Sequence, residues 1–355
     1  MGNIQRVNRS KPWRARYWGP DGRQHSKSFA RKVDAERWLK VSEAESLTSR
    51  WVDPAAGAEP FGAYAEEWIA VKRSTVGETT ATNTESLLRA RILPEFGPKK
   101  LKQITPAEVR SWIARMSDEG LAPSTVYTYR RVLGQILEQA VDDGLLVSNP
   151  AKRAKAPSVR PRRQMFLSAD ELRQLASECG DYAPLVWFLG WSGLRFGEAA
   201  ALRVGRVDPS RRRVRVEEAA TEVGGRLIFG APKTHVARTV IVPQFVIDAV
   251  EPLLEGRDTD ALVFTAPKGG PVRLNNFRRR VFGPASERIG KRGLVPHDLR
   301  DTAASLAISS GASIKAVQRM LGHASAKMTL DVYGSLFEED LEALADRIEE
   351  RYGDL

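Results

Sequence analysis

The sequence predicts a multidomain α+β protein. A small N-terminal three-stranded sheet with one helix is followed by an all-helical domain, then by a mainly α domain with a small antiparallel sheet. Three observations lead there. At 355 residues the chain exceeds what one ordinary core organises. Its hydrophobic periodicity alternates near the start, turns helical across 58–150, and is mixed from 164 onward. A proline-bearing basic stretch, 151–163, separates the last two regions, so the division is 1–57, 58–150, 151–163 and 164–355.

In the first region strands are predicted at 4–7, 13–18 and 25–29, with the turn Gly19-Pro20-Asp21-Gly22 between the second and third. A helix is predicted over 33–44, with Val33, Trp38, Val41 and Leu47 marking its apolar side. Arg14 and Arg16 are two apart on the second strand and therefore share a face. Paired arginines on a small sheet can enter a DNA major groove, whereas a capping module with a solvated face is the plainer alternative.

The second region reads as helices at 61–72, 80–91, 106–117 and 123–142. Thr105 before Pro106 and Glu108 supplies a helix cap, Ala122-Pro123-Ser124 opens the next helix, and Asp143-Gly144 ends it. Prolines at 150, 157 and 161 predict that the connector is extended. Its Lys152, Arg153 and Lys155 suit a strap lying along a DNA backbone.

In the third region Ser168-Ala169-Asp170-Glu171 is a capping box. Helices are predicted near 183–191 and 197–203, strands at 206–208, 212–217, 226–229 and 238–242, and helices at 244–254, 274–289, 298–309, 313–321 and 337–351. In the last helix Phe337, Leu341, Leu344, Ala345 and Ile348 form one apolar side and the rest is mostly acidic, so it is expected to dock on protein rather than DNA.

Charge points to an anionic partner. The net charge is +11, and residues 1–40 hold eleven Lys/Arg against three Asp/Glu. Residues 152–163 hold six basic residues and no acid, whereas 336–355 hold eight acids and two arginines. Two separated basic segments with an acidic tail favour nucleic acid, and by composition alone an RNA-binding or ribosomal protein fits equally. The longest apolar run, 183–194, is about half of what a bilayer requires, and no signal segment opens the chain. The expected location is cytoplasmic, at the nucleoid when acting. A single cysteine, Cys179, excludes an internal disulfide and a cysteine-based zinc site.

Several short segments carry chemistry only when taken together. His297-Asp298-Leu299-Arg300 sets a histidine and an arginine on one face of a helix start, where free backbone N–H groups also favour an anion. Leu321-Gly322-His323 follows a helix end, and Tyr333 lies just before the predicted terminal helix. Ser192-Gly193-Leu194-Arg195-Phe196-Gly197-Glu198 alone would be a turn into a helix, and Lys233 alone a hairpin-loop lysine. His25 and His235 read as surface or strand histidines.

Taken in chain order, from Ser192–Glu198 through Lys233, His297–Arg300 and Leu321–His323 to Tyr333, the five segments strongly resemble the tyrosine recombinase, or phage integrase, family. Leu93-Pro94-Glu95-Phe96-Gly97 and the Asn149-Pro150 ending are similar to that family's core-type DNA-binding domain, and the first region to its arm-binding module. The resemblance implies a metal-free and cofactor-free phosphoryl transfer. Arg195 and Arg300 would grip the scissile phosphate, Tyr333 would attack it to give a 3′-phosphotyrosine, and His297 would serve as base. Lys233 would protonate the leaving 5′ oxygen, His323 would hydrogen-bond the phosphate, and Glu198 would orient a neighbouring motif residue. The implied partners are double-stranded DNA attachment sites, a homotetramer on DNA, a host DNA-bending protein and an excision factor, with no membrane. The implied outcome is integration, and excision, of a mobile element. One position departs from the pattern. The residue after the second motif arginine is often histidine in the family and here is Asp301, an acid able to tether Arg300 or another cation. A type IB topoisomerase, a regulator that no longer cuts, and a zinc enzyme are the competing readings; the intact set of six residues, and the absence of a close ligand pair near His297 or His323, speak against the last two.

Overall fold

The computed structural model describes residues 2–8, 10–46, 56–159, 164–232, 237–338 and 340–353, and of residues 45, 337–338, 340–344 and 347 only the backbone. The chain divides into two compact units, Met1–Pro161 and Arg162–Leu355. No helix among the described residues is long and apolar enough to cross a membrane.

The first unit opens with β1 (Asn3–Arg6), β2 (Trp13–Trp18) and β3 (Gln24–Phe29), an antiparallel sheet with β2 at its centre, followed by α1 (Lys32–Ser46). Alternation decides the faces. Ala15 and Tyr17 are buried, and α1 packs on β2 with Trp38 edge-on to Tyr17 at 5.4 Å. Arg14 and Arg16 fall between them on the other face, where the Arg14 guanidinium donates to Ser26 Oγ at 3.0 Å. The expected apolar side of the helix needs correction. Val33 and Val41 are exposed, and the inward row is buried Ala35 and Ser42 with half-buried Trp38 and Leu39 between them. Spacing of i, i+3, i+4 and i+7 gives this row the true helical period, which valines eight apart only approximate. Leu47 lies outside the described residues.

The remainder of this unit is helical: α2 (Phe61–Thr75), α3 (Glu78–Leu87), α4 (Leu93–Phe96), α5 (Pro106–Asp118) and α6 (Pro123–Asp142). A wide π-type turn, Leu88–Ile92, carries α3 into α4, so the helix predicted over 80–91 continues to Phe96. Pro94 has no N–H to give, and the widened turn before it absorbs that loss. Phe96 is fully buried, edge-on to both Phe61 and Trp112. Thr105 and Glu108 form the predicted reciprocal cap of α5.

The connector begins differently from the expectation. Residues 150–153 form a turn, and Ala151 and Ala154 are fully buried in the helical core. Arg130 donates to the carbonyls of Ala151 and Ala154, and Lys152 is paired with Glu138 at 2.6 Å. Side-chain capping of these carbonyls folds the start of the stretch onto α6, which prolines further along do not prevent. Arg153 and Lys155 are exposed.

The second unit contains α7 (Ala169–Glu178), α8 (Ala183–Ser192), α9 (Phe196–Ala200), β4 (Val207–Asp208), β5 (Arg213–Val216), β6 (Ala219–Val223), β7 (Arg226–Gly230) and β8 (Arg238–Ile241). The chain continues as α10 (Gln244–Val250), α11 (Leu274–Phe277), α12 (Gly283–Arg288), α13 (Asp298–Ser309), α14 (Ile314–Leu321), α15 (Ala326–Glu338) and α16 (Asp340–Tyr352). Strands β4, β5 and β8 form one antiparallel sheet, and β6 and β7 form a hairpin turned by Gly224 and Gly225, both at positive φ. Strand β6 was not predicted. Helix α8 is apolar all round because it is the core itself, with Leu185, Val186, Phe188 and Leu189 buried and α7 and α13 packed against it.

One expectation for the C-terminal region changes. Tyr333 is inside α15, a helix not foreseen, rather than in a segment before the terminal helix. Of the terminal helix predicted over 337–351, α16 covers Asp340–Tyr352, and Ala345 and Ile348 of its apolar side are exposed, while the side chains of Phe337, Leu341 and Leu344 lie outside the described residues.

Candidate active site

The site is assembled where three chain turns meet. Helix α8 ends at Gly193, whose φ of +66° is a left-handed turn suited to glycine, and the chain re-enters helix three residues later. This reversal places Arg195 at the start of α9, with Glu198 three residues on. Glu198 accepts from the Arg195 backbone N–H and from Arg195 Nη1, both at 2.9 Å. The same carboxylate accepts two bonds from Arg238 on β8, from Nη1 at 2.9 Å and Nη2 at 2.6 Å. Its side chain is 1% exposed. Burial alone would raise the Glu198 pKa, but the Arg238 and Arg195 guanidiniums outweigh it and hold the carboxyl below its ordinary range. Glu198 thus ties Arg195 to Arg238, a partner that the sequence reading missed. Its signal was present: Arg238 shares a strand face with buried Val240, and an arginine on an inward face requires an acid.

This triad gives a first testable expectation. Glu198→Gln leaves two guanidiniums facing a neutral amide and is expected to cost about 2 kcal/mol, the scale of hydrogen bonds to charged groups. Denaturant unfolding of the variant measures it.

Arg300, in the first turn of α13, is 3% exposed. Its Nη1 donates to the Gly193 carbonyl and its Nη2 to the Leu321 carbonyl, which joins the end of α8 to the end of α14. Burial first, then the neighbouring Arg195, lowers its pKa to about 10, so it stays charged at neutral pH. Asp298 accepts from the Val295 N–H and holds the start of this helix. His297, at the position before α13, is exposed.

Helix α14 ends in Gly322, again left-handed at φ +65°, and a Cβ there would sit 2.8 Å from the Arg238 side chain. This turn delivers His323, whose Nδ1 lies 3.0 Å from Thr329 Oγ1. Burial, followed by Arg300, Arg195 and Arg238, pushes the His323 pKa down to about 4. The ring is therefore neutral at physiological pH and serves as a hydrogen-bonding group rather than a cation. An unfolded chain takes up this proton near pH 6.5, before the native state does, so native stability falls as pH drops from about 6.5 towards about 4. His323→Gln is expected to lessen that fall, which thermal melts across the interval would read.

Tyr333 reaches the same place from α15. Its ring lies parallel to His323, with centroids 6.5 Å apart, and is 2% exposed. Its hydroxyl donates to Asp301 Oδ1 at 2.6 Å. Burial first, then this bond to Asp301, raises the Tyr333 pKa well above the ordinary phenol range. The expectation that Asp301 tethers a cation is thus replaced by a bond to the phenol. No rule of local spacing connects residues 32 apart.

Arg195, Glu198, Arg300, His323 and Tyr333 are thereby brought together. Lys233 and His235 lie outside the described residues. His25 is paired with Asp21 in the first unit. Cys179 is buried at the end of α7, its thiol pushed up to about 12 by burial, which suits packing and not nucleophilic attack. Among the described residues no group of three or more His, Cys, Asp or Glu could hold a metal ion. A pair of guanidiniums, a neutral imidazole and a phenol around one point is chemistry suited to a phosphodiester.

Known proteins agree in extent and order. Residues 165–339 match the phage integrase family, 60–117 a phage integrase N-terminal SAM-like domain, and 1–48 a phage integrase N-terminal domain. A Mycobacterium tuberculosis protein named as a prophage phiRv2 integrase is 32% identical over 346 residues, covering 93% of this chain and 90% of its own. The integrase of Mycobacterium phage D29 is 30% identical, covering 95% of this chain and 91% of its own. Among solved structures, the Tn1549 transposon integrase with circular intermediate DNA superposes with a TM-score of 0.68 at 20% identity, over 77% of this chain and 95% of that one. A lambda integrase dimer on a core site gives 0.61 at 17% identity, over 93% and 94%. These two likenesses speak to the fold, and the full-length sequence identity to the phage and prophage enzymes settles kinship: the chain belongs to the phage integrase family of tyrosine recombinases.

Proposed function

We propose that Tyr333 is the nucleophile with which this site-specific recombinase of a mobile element breaks and rejoins DNA. The observation that carries the assignment is the placing of the Tyr333 phenol in one cluster with Arg300, His323 and the Glu198-oriented Arg195. Arg195 and Arg300 hold the non-bridging oxygens of the scissile phosphate, since a guanidinium stays charged and offers parallel donors. Negative charge grows on those oxygens in the transition state, where preorganised donors lower the barrier most. His323, neutral and half-buried, donates a further hydrogen bond. Tyr333 attacks phosphorus, a 3′-phosphotyrosine forms, and Lys233 gives a proton to the departing 5′ oxygen. The phosphotyrosine conserves the energy of the broken bond, so rejoining draws on no nucleotide cofactor.

The basic first region and connector support DNA as the partner, with Arg14, Arg16, Arg153 and Lys155 facing the backbone. Lys152 contributes less, because Glu138 already neutralises it. Residues 1–57 take the arm-type sites, 58–150 the core-type sites, and 164–355 the chemistry. Strand exchange between two duplexes uses four subunits, and the DNA-bound integrases among the structural neighbours, one a lambda integrase tetramer on a Holliday junction, support that arrangement. A host bending protein and an excision factor complete the scheme for integration and excision. Incubating the enzyme with fragmented genomic DNA, denaturing, and sequencing whatever stays attached tests the proposal. A tyrosine-linked 3′ end at one recurrent sequence is expected, and absence of any covalent adduct would refute it.

A further inference from the structure

We infer that Asp301 is a catalytic residue of this enzyme, the group that takes the phenolic proton of Tyr333 as the phenol attacks. The inference rests on Tyr333 being the nucleophile. At 2.6 Å the Tyr333 hydroxyl is within the range that a general base must occupy, and the hydroxyl is the donor. A phenol that gives its one proton to a carboxylate keeps its lone pairs for another direction, which is the state an attacking oxygen needs. His297, which the family resemblance suggested as base, is exposed at the opening of α13, one helical turn before Asp301. It is left to bind phosphate.

Asp301 directly follows Arg300 on α13. The anchor for the phosphate and the acceptor for the proton are therefore fixed to each other by one peptide unit in a packed helix, and α15 brings the phenol to both. The surroundings fit this division of labour. Among the described residues, the charges acting on the phenol are the Arg300 guanidinium and the Asp301 carboxylate, with the neutral His323 ring parallel to it. The cations serve the phosphate, and the carboxylate Asp301 serves the proton. The Tyr333 Oη–phosphorus bond forms while the phosphorus–O5′ bond breaks, the phenolic proton passes to Asp301, and the 5′ oxygen takes its proton from Lys233. Rejoining returns both protons.

The test uses the full-length enzyme and the duplex recovered by covalent trapping, made once with its normal scissile phosphate and once with sulfur in place of the bridging 5′ oxygen. A thiolate leaves without being protonated, so this substitution removes the need for an acid at the leaving group but not for a base at the nucleophile. Asp301→Asn keeps the size and an accepting oxygen but not the basicity. It is expected to cut both duplexes roughly a hundredfold more slowly. Lys233→Ala, by contrast, is expected to be slow on the normal duplex and restored on the sulfur duplex. Asp301→Glu, which keeps the carboxylate, is expected to keep most of the parent rate and decides the matter should the asparagine variant fail to fold, a folded glutamate variant as slow as Tyr333→Phe overturning the inference. Cutting by Asp301→Asn within threefold of the parent, or faster, would overturn the inference, as would its rescue by sulfur. Adduct formation by the parent and its absence in Tyr333→Phe show separately that the nucleophile is correctly assigned.

Discussion

Tyr333→Phe is expected to yield no covalent DNA adduct, while folding and DNA binding persist. Phenylalanine fills the space of a side chain that is 2% exposed, so α15 keeps its packing on α13 and α14. What is lost is one oxygen. That oxygen is both the atom that would join phosphorus and the donor to Asp301, so chemistry stops completely and stability falls only by the worth of one hydrogen bond, about 1 kcal/mol. Denaturing gels of the trapped duplex, with melting and gel-shift measurements beside them, separate the three effects. A retained adduct would move the nucleophile to another residue.

Arg300→Ala is expected to fail in two ways at once. The guanidinium satisfies the carbonyls of Gly193 and Leu321 and is itself 3% exposed, so its removal strands two acceptors and leaves a hole between α8, α13 and α14. Losses of about 3–5 kcal/mol accompany the breaking of buried charged networks. On the role proposed above, the same change deletes a phosphate donor, a loss of about 3–4 kcal/mol in the transition state, or a few hundredfold in rate. Arg300→Lys keeps the charge without the planar fork, so it is expected to recover part of the stability and little of the rate. Urea unfolding and single-turnover cutting of the trapped duplex read the two losses independently. An Arg300→Ala enzyme that melts like the parent would refute the double role.

How much of this was legible follows from the range of each interaction. Caps were read correctly because they are local: Thr105 with Glu108 and Ser168 with Glu171 are three residues apart, and both reciprocal pairs form. Helix α13 was found at 298–309, since its period and its ends are set by nearby residues. Helix α15 was not. What holds it is packing of Thr329 and Tyr333, four apart, onto the interior of the unit. Strand β6 was passed over although Gly224-Gly225 is a hairpin signal that would have paired it with β7. The residues of the five motifs were named in the sequence only as an ordered set, through its resemblance to a family. Their mutual bonding was not, because Glu198 to Arg238 spans 40 residues and Tyr333 to Asp301 spans 32.

The Arg195–Glu198–Arg238 triad has a consequence for ionic strength. Dissolved ions shield charges that water can reach, over about 8–10 Å at ordinary concentrations, and reach a carboxylate that is 1% exposed far less. The basic residues of the first region and the connector are open to such shielding, the triad is closed to it. Added salt should therefore weaken the hold on the duplex steeply and leave the cutting step of an already assembled complex nearly unchanged.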